Sequence, residues 1–152
     1  MENWWSLKKT LSALLLTACV SINYPQNQHF DPNGNEIVFI EKDGCEHNDN
    51  IAYYSGWKVY YDPVEISKFP KEYQAFIFYH EIAHIRLNHR NLILAGSQKE
   101  LNADCYAVKG LITELEFSDR ELGVILKTAE ADKKYSYERF KNLKSCIQDN
   151  LD

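Results

Sequence analysis

The spacing of hydrophobic residues predicts short strands in the first half of the chain and helices in the second. Apolar residues at 37–40 indicate a strand, and two aromatic-rich runs at 51–54 and 57–61 flank Gly56 as in a β-hairpin. From Pro70 onward hydrophobic residues recur at intervals of three and four, the spacing of one helical face. The pattern therefore predicts an α+β fold in which a small antiparallel sheet packs on a helical half.

The first two helices are expected to form the centre of this helical half. The first extends from about Lys71 to Arg90 and is strongly amphipathic, and Gly96 separates it from a second helix that opens at residues 97–100. The residues of the second helix expected to face the core are Leu101, Cys105, Val108, Ile112 and Leu115.

Two further helices follow. A Ser-x-x-Glu capping box at residues 118–121 opens the third helix, because its serine and glutamate side chains can satisfy backbone amides of the first turn. Residues 135–148 have the helical spacing again. Phe140, Leu143 and Ile147 are the residues of this fourth helix that should point inward.

Residues 1–18 have the pattern of an export signal. Two lysines precede an apolar run at 11–18 that is too short to span a bilayer. The tetrapeptide at 16–19, Leu-Thr-Ala-Cys, resembles the bacterial lipobox, in which the cysteine is lipidated and becomes the new N-terminus. A plain secretory signal or a buried N-terminal helix is the alternative interpretation.

This pattern divides the chain into three parts. Residues 1–18 are expected to be a lipoprotein-type signal peptide, residues 19–35 a polar tether, and residues 36–152 the folded domain. His29 lies in the tether and is expected to be solvated. The protein should then be exported to the bacterial cell envelope and anchored to a membrane through a lipid on Cys19.

Charge and cysteine content exclude two classes of function. The formal net charge is −5, and no basic stripe exists that could follow a phosphate backbone, so nucleic acid is excluded as a partner. The chain has no C-x-x-C pair, which argues against a cysteine-rich zinc site. Outside the cell, one disulfide can form among Cys45, Cys105 and Cys146, and the sequence leaves its pairing open.

The candidate chemistry lies in the first long helix, in an H-E-x-x-H motif. His80 and His84 are four residues apart, so both imidazoles can point at one metal ion from the same helical face. Glu81 follows the first histidine and can reach a water beside the metal as a general base. The alternative is two histidines on a core-facing helix with a surface glutamate between them.

A zinc ion held by two histidines requires a third protein ligand and an open position for water. Glu100 is the candidate ligand, and Asp104, one helical turn later, is placed to orient a ligand histidine through its other ring nitrogen. Glu100 could instead complete a capping box with Ser97, and Asp104 could be a solvated helix residue.

The two other histidines near the motif are left out of the metal site. His47 lies in a polar loop, where histidines are common. His89 would lie about 180° around the first helix from His80 if that helix continued to Arg90.

Residues 79–106 resemble the gluzincin class of zinc metallopeptidases, in which a glutamate on the next helix completes H-E-x-x-H. The segment at 100–107, Glu-Leu-Asn-Ala-Asp-Cys-Tyr-Ala, is similar to one in small bacterial neutral zinc metallopeptidases, and the H-E-x-x-H-x-x-x-x-H form also resembles the membrane-associated HtpX-like family. The resemblance implies a zincin-like fold and a bound Zn²⁺. The roles it implies are metal ligands for His80, His84 and Glu100, general base for Glu81, and an orienting carboxylate for Asp104.

Two departures from related families limit the transfer of roles. The metzincin pattern needs glycine at 87 and histidine at 90, where this chain has Leu87 and Arg90. Related peptidases often have a His-Pro before an arginine in a late helix, and this chain has Arg139 without the His-Pro. We therefore assign Arg139 no role at this stage.

The sequence thus predicts a zinc-dependent peptidase that binds an extended protein or peptide substrate along the edge of its sheet. The alternative is a catalytically silent metalloprotease-like lipoprotein that binds zinc or a protein partner, and a third interpretation has no metal at all. The sequence assigns no residue to stabilise an oxyanion, and Tyr106 and the hairpin tyrosines are named for that role only as guesses.

Overall fold

The computed structural model of this protein describes residues 28–42 and 51–151, which form three strands and five helices. The predicted signal peptide, Cys19, Cys45 and His47 lie outside these residues. The predicted α+β class is confirmed. The elements are β1 (Val38–Glu41), β2 (Ala52–Ser55), β3 (Lys58–Tyr61), α1 (Pro63–Ile66), α2 (Lys71–Arg86), α3 (Gly96–Leu115), α4 (Asp119–Ala131) and α5 (Tyr137–Leu151).

The sheet has the order β1-β3-β2 and is mixed, so the expectation of a purely antiparallel sheet is wrong. The hairpin is confirmed, since β2 and β3 pair antiparallel around Gly56, whose φ of +62° favours glycine. Strand β1 pairs parallel with β3 instead. Strand β3 takes the central position because Val59 and Tyr61 are buried against the helical half.

Helix α2 lies between the sheet and the other helices. Twelve of its sixteen residues are buried, so the prediction of an amphipathic helix with one exposed face is wrong. Phe78, Ile82 and Ile85 pack with the buried residues of the sheet, whereas Tyr73, Phe76 and Tyr79 pack with α3, α4 and α5. The helix that carries the candidate site is therefore the core of the molecule.

Helix α2 also ends earlier than expected. The last helical residue is Arg86 rather than Arg90, and Asn88 has a φ of +54°, which turns the chain out of the helix. Asparagine tolerates this left-handed conformation better than most residues. Residues beyond Leu87 therefore do not continue the helical face that the periodicity implied.

Helix α3 packs closely on α2 through small side chains, because bulky ones would keep the two helices apart. Its buried residues are Ala103, Asp104, Ala107, Val108, Gly110 and Leu111. A Cβ at Gly110 would lie only 2.5 Å from Cδ1 of Tyr79, so glycine is required there. Of the five residues predicted to face the core, Val108 is fully buried, while Ile112 and Leu115 are partly buried against it.

The last two helices largely follow the prediction. Glu121 accepts a hydrogen bond from the amide of Ser118 at 2.8 Å, as expected for the capping box at the start of α4. Leu143 and Ile147 of α5 are buried, and Phe140 is partly buried against the same core. None of the described helices is long and apolar enough to cross a membrane.

A disulfide joins Cys105 of α3 to Cys146 of α5, which resolves the pairing that the sequence left open. Because it closes a loop of 41 residues, it restricts the unfolded chain and ties together two helices of the candidate site.

The segment before β1 is attached to the helical half. His29 is 1 % exposed, so its expected solvated position is wrong. Its Nδ1 accepts a hydrogen bond from Arg86 at 3.0 Å and lies 3.6 Å from the carboxylate of Glu114. Burial, followed by the neighbouring charge of Arg86, lowers the pKa of His29 below its usual value. The division at residues 18 and 35 stays a prediction.

Candidate metal centre

The two histidines of the H-E-x-x-H motif converge as their spacing predicts. Because α2 is regular from Lys71 to Arg86, His80 and His84 lie one turn apart on the same face. Their Nε2 atoms are 3.0 Å apart, and both side chains are buried. The helical face that they share is directed at the first turns of α3.

Glu100 completes this group. Its Oε2 lies 3.2 Å from Nε2 of His80, and its Oε1 lies 3.3 Å from Nε2 of His84. Helix α3 begins at Gly96 with Ala95 as its N-cap and has no side-chain cap hydrogen bond, so the alternative of a Ser97–Glu100 capping box is wrong. Glu100 is free of that role and faces the two histidines.

The three side chains fit a divalent cation. In a tetrahedral zinc site with bonds of about 2.0–2.1 Å, two ligand atoms are about 3.3–3.4 Å apart. The two Nε2 atoms are 3.0 Å apart, and each lies at a similar distance, 3.2 or 3.3 Å, from one of the two carboxylate oxygens of Glu100. When the two imidazoles are neutral, their Nε2 atoms are electron-pair donors like the carboxylate of Glu100, so a cation would stabilise the approach of the three side chains to one point. The group could therefore hold a metal ion.

Asp104 lies beside Nδ1 of His80, the ring nitrogen that faces away from Glu100, and this is the position expected for a carboxylate that orients a ligand histidine. Its Oδ1 is 2.8 Å from Nδ1 of His80, although the angle departs from that of a well-aligned hydrogen bond. Asp104 is completely buried. Burial alone raises its pKa, but His80 and Arg139 together lower the pKa below the usual range. Asp104 is therefore ionised and can hold the His80 ring in one orientation.

Two residues of the C-terminal part complete the surroundings of Asp104. Arg139 donates two hydrogen bonds to the carboxylate, at 3.0 and 2.7 Å, and Tyr135 donates a third at 2.6 Å. Arg139 also stacks over the Tyr135 ring and brings its Nη1 within 3.3 Å of Glu100. This arrangement places Arg139 at the site, although the sequence analysis assigned it no role. The arginine found in a late helix of related peptidases was the signal for it, and it was set aside because this chain lacks the preceding His-Pro.

Glu81 lines a cleft of about 300 Å³ that opens beside the three donor atoms. Burial raises the pKa of its carboxyl group, and the charges of His80 and His84 oppose that shift. A carboxylate whose pKa is raised is a better proton acceptor than an exposed one. The cleft also has an aromatic and aliphatic wall formed by Ile51, Tyr53, Tyr54, Tyr73, Phe76 and Ile77.

His84 has neighbours on two further sides. Tyr54 of β2 stacks on its ring at 5.0 Å with an interplanar angle of 9°. Nδ1 of His84 lies 2.8 Å from Nδ1 of His89. The expectation that His89 lies on the far side of the helix is wrong, because α2 ends at Arg86 and the chain folds back.

The tyrosines named as candidates for stabilising an oxyanion lie in two different depressions of the structure. Tyr53 and Tyr54 line the cleft beside Glu81. Tyr106 lies in a different depression, together with Leu87 and Lys109. Tyr106 does not line the cleft beside Glu81, so the hairpin tyrosines are the better candidates.

Comparison with known proteins agrees with this geometry. The model of a family described as Peptidase U49 matches residues 72–131, about two fifths of the chain. No curated protein and no solved structure matches the chain. The matched region contains α3, α4 and all of α2 except its first residue, and with them His80, Glu81, His84, Glu100 and Asp104. Over the helices that build the candidate metal centre, the chain is therefore similar to a peptidase family.

Proposed function

We propose that this protein is a zinc-dependent peptidase with His80, His84 and Glu100 as ligands and Glu81 as general base. The observation that carries the proposal is the convergence of His80, His84 and Glu100 beside a cleft lined by Glu81, with the two Nε2 atoms 3.0 Å apart and each within 3.3 Å of a different carboxylate oxygen of Glu100. The match to a peptidase family over the same helices supports it. Two nitrogens and one oxygen are the ligand set of many hydrolytic zinc sites.

Each residue then has a distinct task. Zinc, when bound, supplies a Lewis acid that polarises a carbonyl and lowers the pKa of a bound water to about 7. Glu81 accepts a proton from the attacking water and returns it to the amine of the departing product. Asp104 holds His80 in the tautomer whose Nε2 is free to bind metal. The gluzincin-like assignment of the site rests on the same three ligands.

The proposed substrate is an extended segment of a protein or peptide. Strand β2 lies at an edge of the sheet, since the strand order is β1-β3-β2. Tyr53 and Tyr54 of this strand line the cleft next to Glu81. An extended peptide that adds to the edge of β2 would satisfy its own backbone amides and pass in front of the metal.

The decisive experiment is the substitution Glu81→Gln, with Glu130→Gln as a control on the exposed face of α4. The amide cannot accept the proton, and Glu81 is not a ligand. We expect Glu81→Gln to retain zinc and to lose hydrolysis of an unfolded protein substrate, whereas Glu130→Gln should retain both. Full hydrolytic turnover by Glu81→Gln would contradict the role of Glu81 as general base. Zinc binding without any hydrolysis by the unmodified protein would favour the catalytically silent alternative.

We also propose that the protein is exported and anchored in the bacterial cell envelope through a lipid on Cys19. The lipobox-like tetrapeptide motivates this, and the Cys105–Cys146 disulfide suits an oxidising compartment. The full chain expressed in bacteria should fractionate with membranes, and Cys19→Ala should release it. Equal membrane association of both proteins would contradict the anchor.

A further inference from the structure

His89 occupies an unusual position next to a candidate metal ligand. It is 1 % exposed, and its Nδ1 lies 2.8 Å from Nδ1 of His84, the ring nitrogen that faces away from the three donors. The two rings are nearly perpendicular, at 75°, with centroids 4.9 Å apart. The contact is therefore edge to edge between nitrogens rather than a stacking contact.

The backbone holds His89 in this position. After the turn at Asn88, the amide of His89 donates to the carbonyl of His84 at 3.0 Å. Lys99 donates from its ammonium group to the carbonyl of His89. This links the residue to the first turns of α3, which also carry Glu100. A histidine tied to both ligand-bearing helices has little freedom to move away.

Hydrogen-bond chemistry allows one proton arrangement when metal is bound. Ligation through Nε2 requires that His84 carry its proton on Nδ1, because a ring nitrogen cannot bind a metal and a proton together. That proton points at Nδ1 of His89 at 2.8 Å, so His89 must accept it. His89 then carries its own proton on Nε2 and is neutral.

We propose that His89 is a positioning residue that accepts a hydrogen bond from Nδ1 of His84 and fixes the tautomer needed for metal binding. This inference rests on the proposed zinc site. Ligand histidines usually donate to a carboxylate, a carbonyl group or water. Here the two ligands differ, since His80 faces the carboxylate of Asp104 and His84 faces a neutral imidazole.

The difference has a consequence for the charge of the site. A second carboxylate at the position of His89 would add negative charge beside Glu100 and weaken the Lewis acidity of the metal. An imidazole orients His84 without that charge. Tyr54 covers one face of the His84 ring at an interplanar angle of 9°, so stacking and the hydrogen bond together define the plane of that ring.

Two variants of the full chain test the role of His89. His89→Asn keeps an acceptor, because the side-chain oxygen of asparagine can occupy the place of Nδ1. His89→Leu fills similar space and accepts nothing. We expect His89→Leu to lower zinc affinity by about 10- to 100-fold in competition with a chelator, and His89→Asn to stay within a few-fold of the unmodified protein. Both should unfold at similar denaturant concentrations when metal-free.

Nitrogen NMR of the zinc-loaded, unmodified protein provides a readout that depends on no variant. The proposal requires protons on Nδ1 of His84 and on Nε2 of His89. The opposite tautomer at His89, or equal zinc affinity in the unmodified protein and folded His89→Leu, would overturn it. A protein that binds no zinc at all would instead refute the proposed function, so the two failures are distinguishable.

Discussion

The most informative perturbation of the site is Asp104→Asn, because Asp104 is completely buried and contacts three side chains. The substitution preserves shape but removes the negative charge that His80, Arg139 and Tyr135 share. An amide has one acceptor oxygen, and its NH₂ group would replace either Oδ1, which faces His80 and Arg139, or Oδ2, which faces Tyr135 and Arg139. At least one of these groups therefore loses its partner.

The size of the effect follows from these contacts. Removing one partner of a buried ion pair costs about 3–5 kcal/mol, and the lower end applies because the Arg139 side chain is 24 % exposed. We therefore expect the free energy of unfolding of the metal-free protein to fall by about 3 kcal/mol. Loss of the carboxylate behind a ligand histidine should also lower zinc affinity by about 10- to 100-fold.

Denaturant unfolding of the metal-free protein and competition for zinc measure the two effects separately. Asp149→Asn makes the same chemical change on an exposed part of α5 and should alter neither quantity by more than about 0.5 kcal/mol. If Asp104→Asn is as stable as the control and binds zinc equally well, the carboxylate is not the support of His80 that its contacts indicate.

Two further predictions concern the core and the attachment of the N-terminal segment. Gly110→Ala should lower the free energy of unfolding by about 1–3 kcal/mol, because the new Cβ would lie 2.5 Å from the Tyr79 ring. If denaturant unfolding is unchanged, α2 and α3 can move apart to admit the Cβ without losing stability. His29 has a lowered pKa in the folded protein, so below about pH 6.5 the unfolded chain binds more protons and the free energy of unfolding falls. This loss between pH 7.5 and 5.5 should be smaller in His29→Gln, and an identical loss would contradict the assignment.

The local part of the site could be predicted from the sequence because helical geometry determines it. Two histidines four residues apart on a helix must share a face, and this places His80 and His84 without any knowledge of the rest of the chain. The same rule puts Asp104 one turn after Glu100. Joining these two helices needed the family resemblance as well, since spacing alone favoured the metal role of Glu100 only slightly over a capping box.

The remaining features depend on contacts between distant parts of the chain. Arg139 reaches Asp104 from a helix that begins 33 residues later in sequence, and only the packing of α5 on α3 brings them together. His89 was misplaced because Asn88 ends the helix with a left-handed turn, whereas the periodicity continued. His29 was misplaced because its polar neighbours resemble a linker, although Arg86 and Glu114 bind it.

The two-sided burial of α2 could not be predicted from its own pattern for a related reason. A helix between a sheet and other helices buries polar as well as apolar residues, and Gln74 and Glu81 are both buried here. In the same way, the hairpin sequence determined the pairing of β2 with β3. Strand β1 could have paired with either strand of the hairpin. It pairs with β3, and the sequence of β1 alone does not determine that choice.

Metal content tests the central claim most directly. The full chain should be purified without added metal, beside Glu100→Ala and the Glu130→Gln control, and zinc should be measured per chain before and after equilibration with a weak chelator. We expect close to one zinc per chain in the unmodified protein and the control, and a loss of zinc in Glu100→Ala. A chain that remains empty even after zinc is supplied, or a Glu100→Ala variant that holds zinc as tightly as the unmodified protein, would contradict the assigned site.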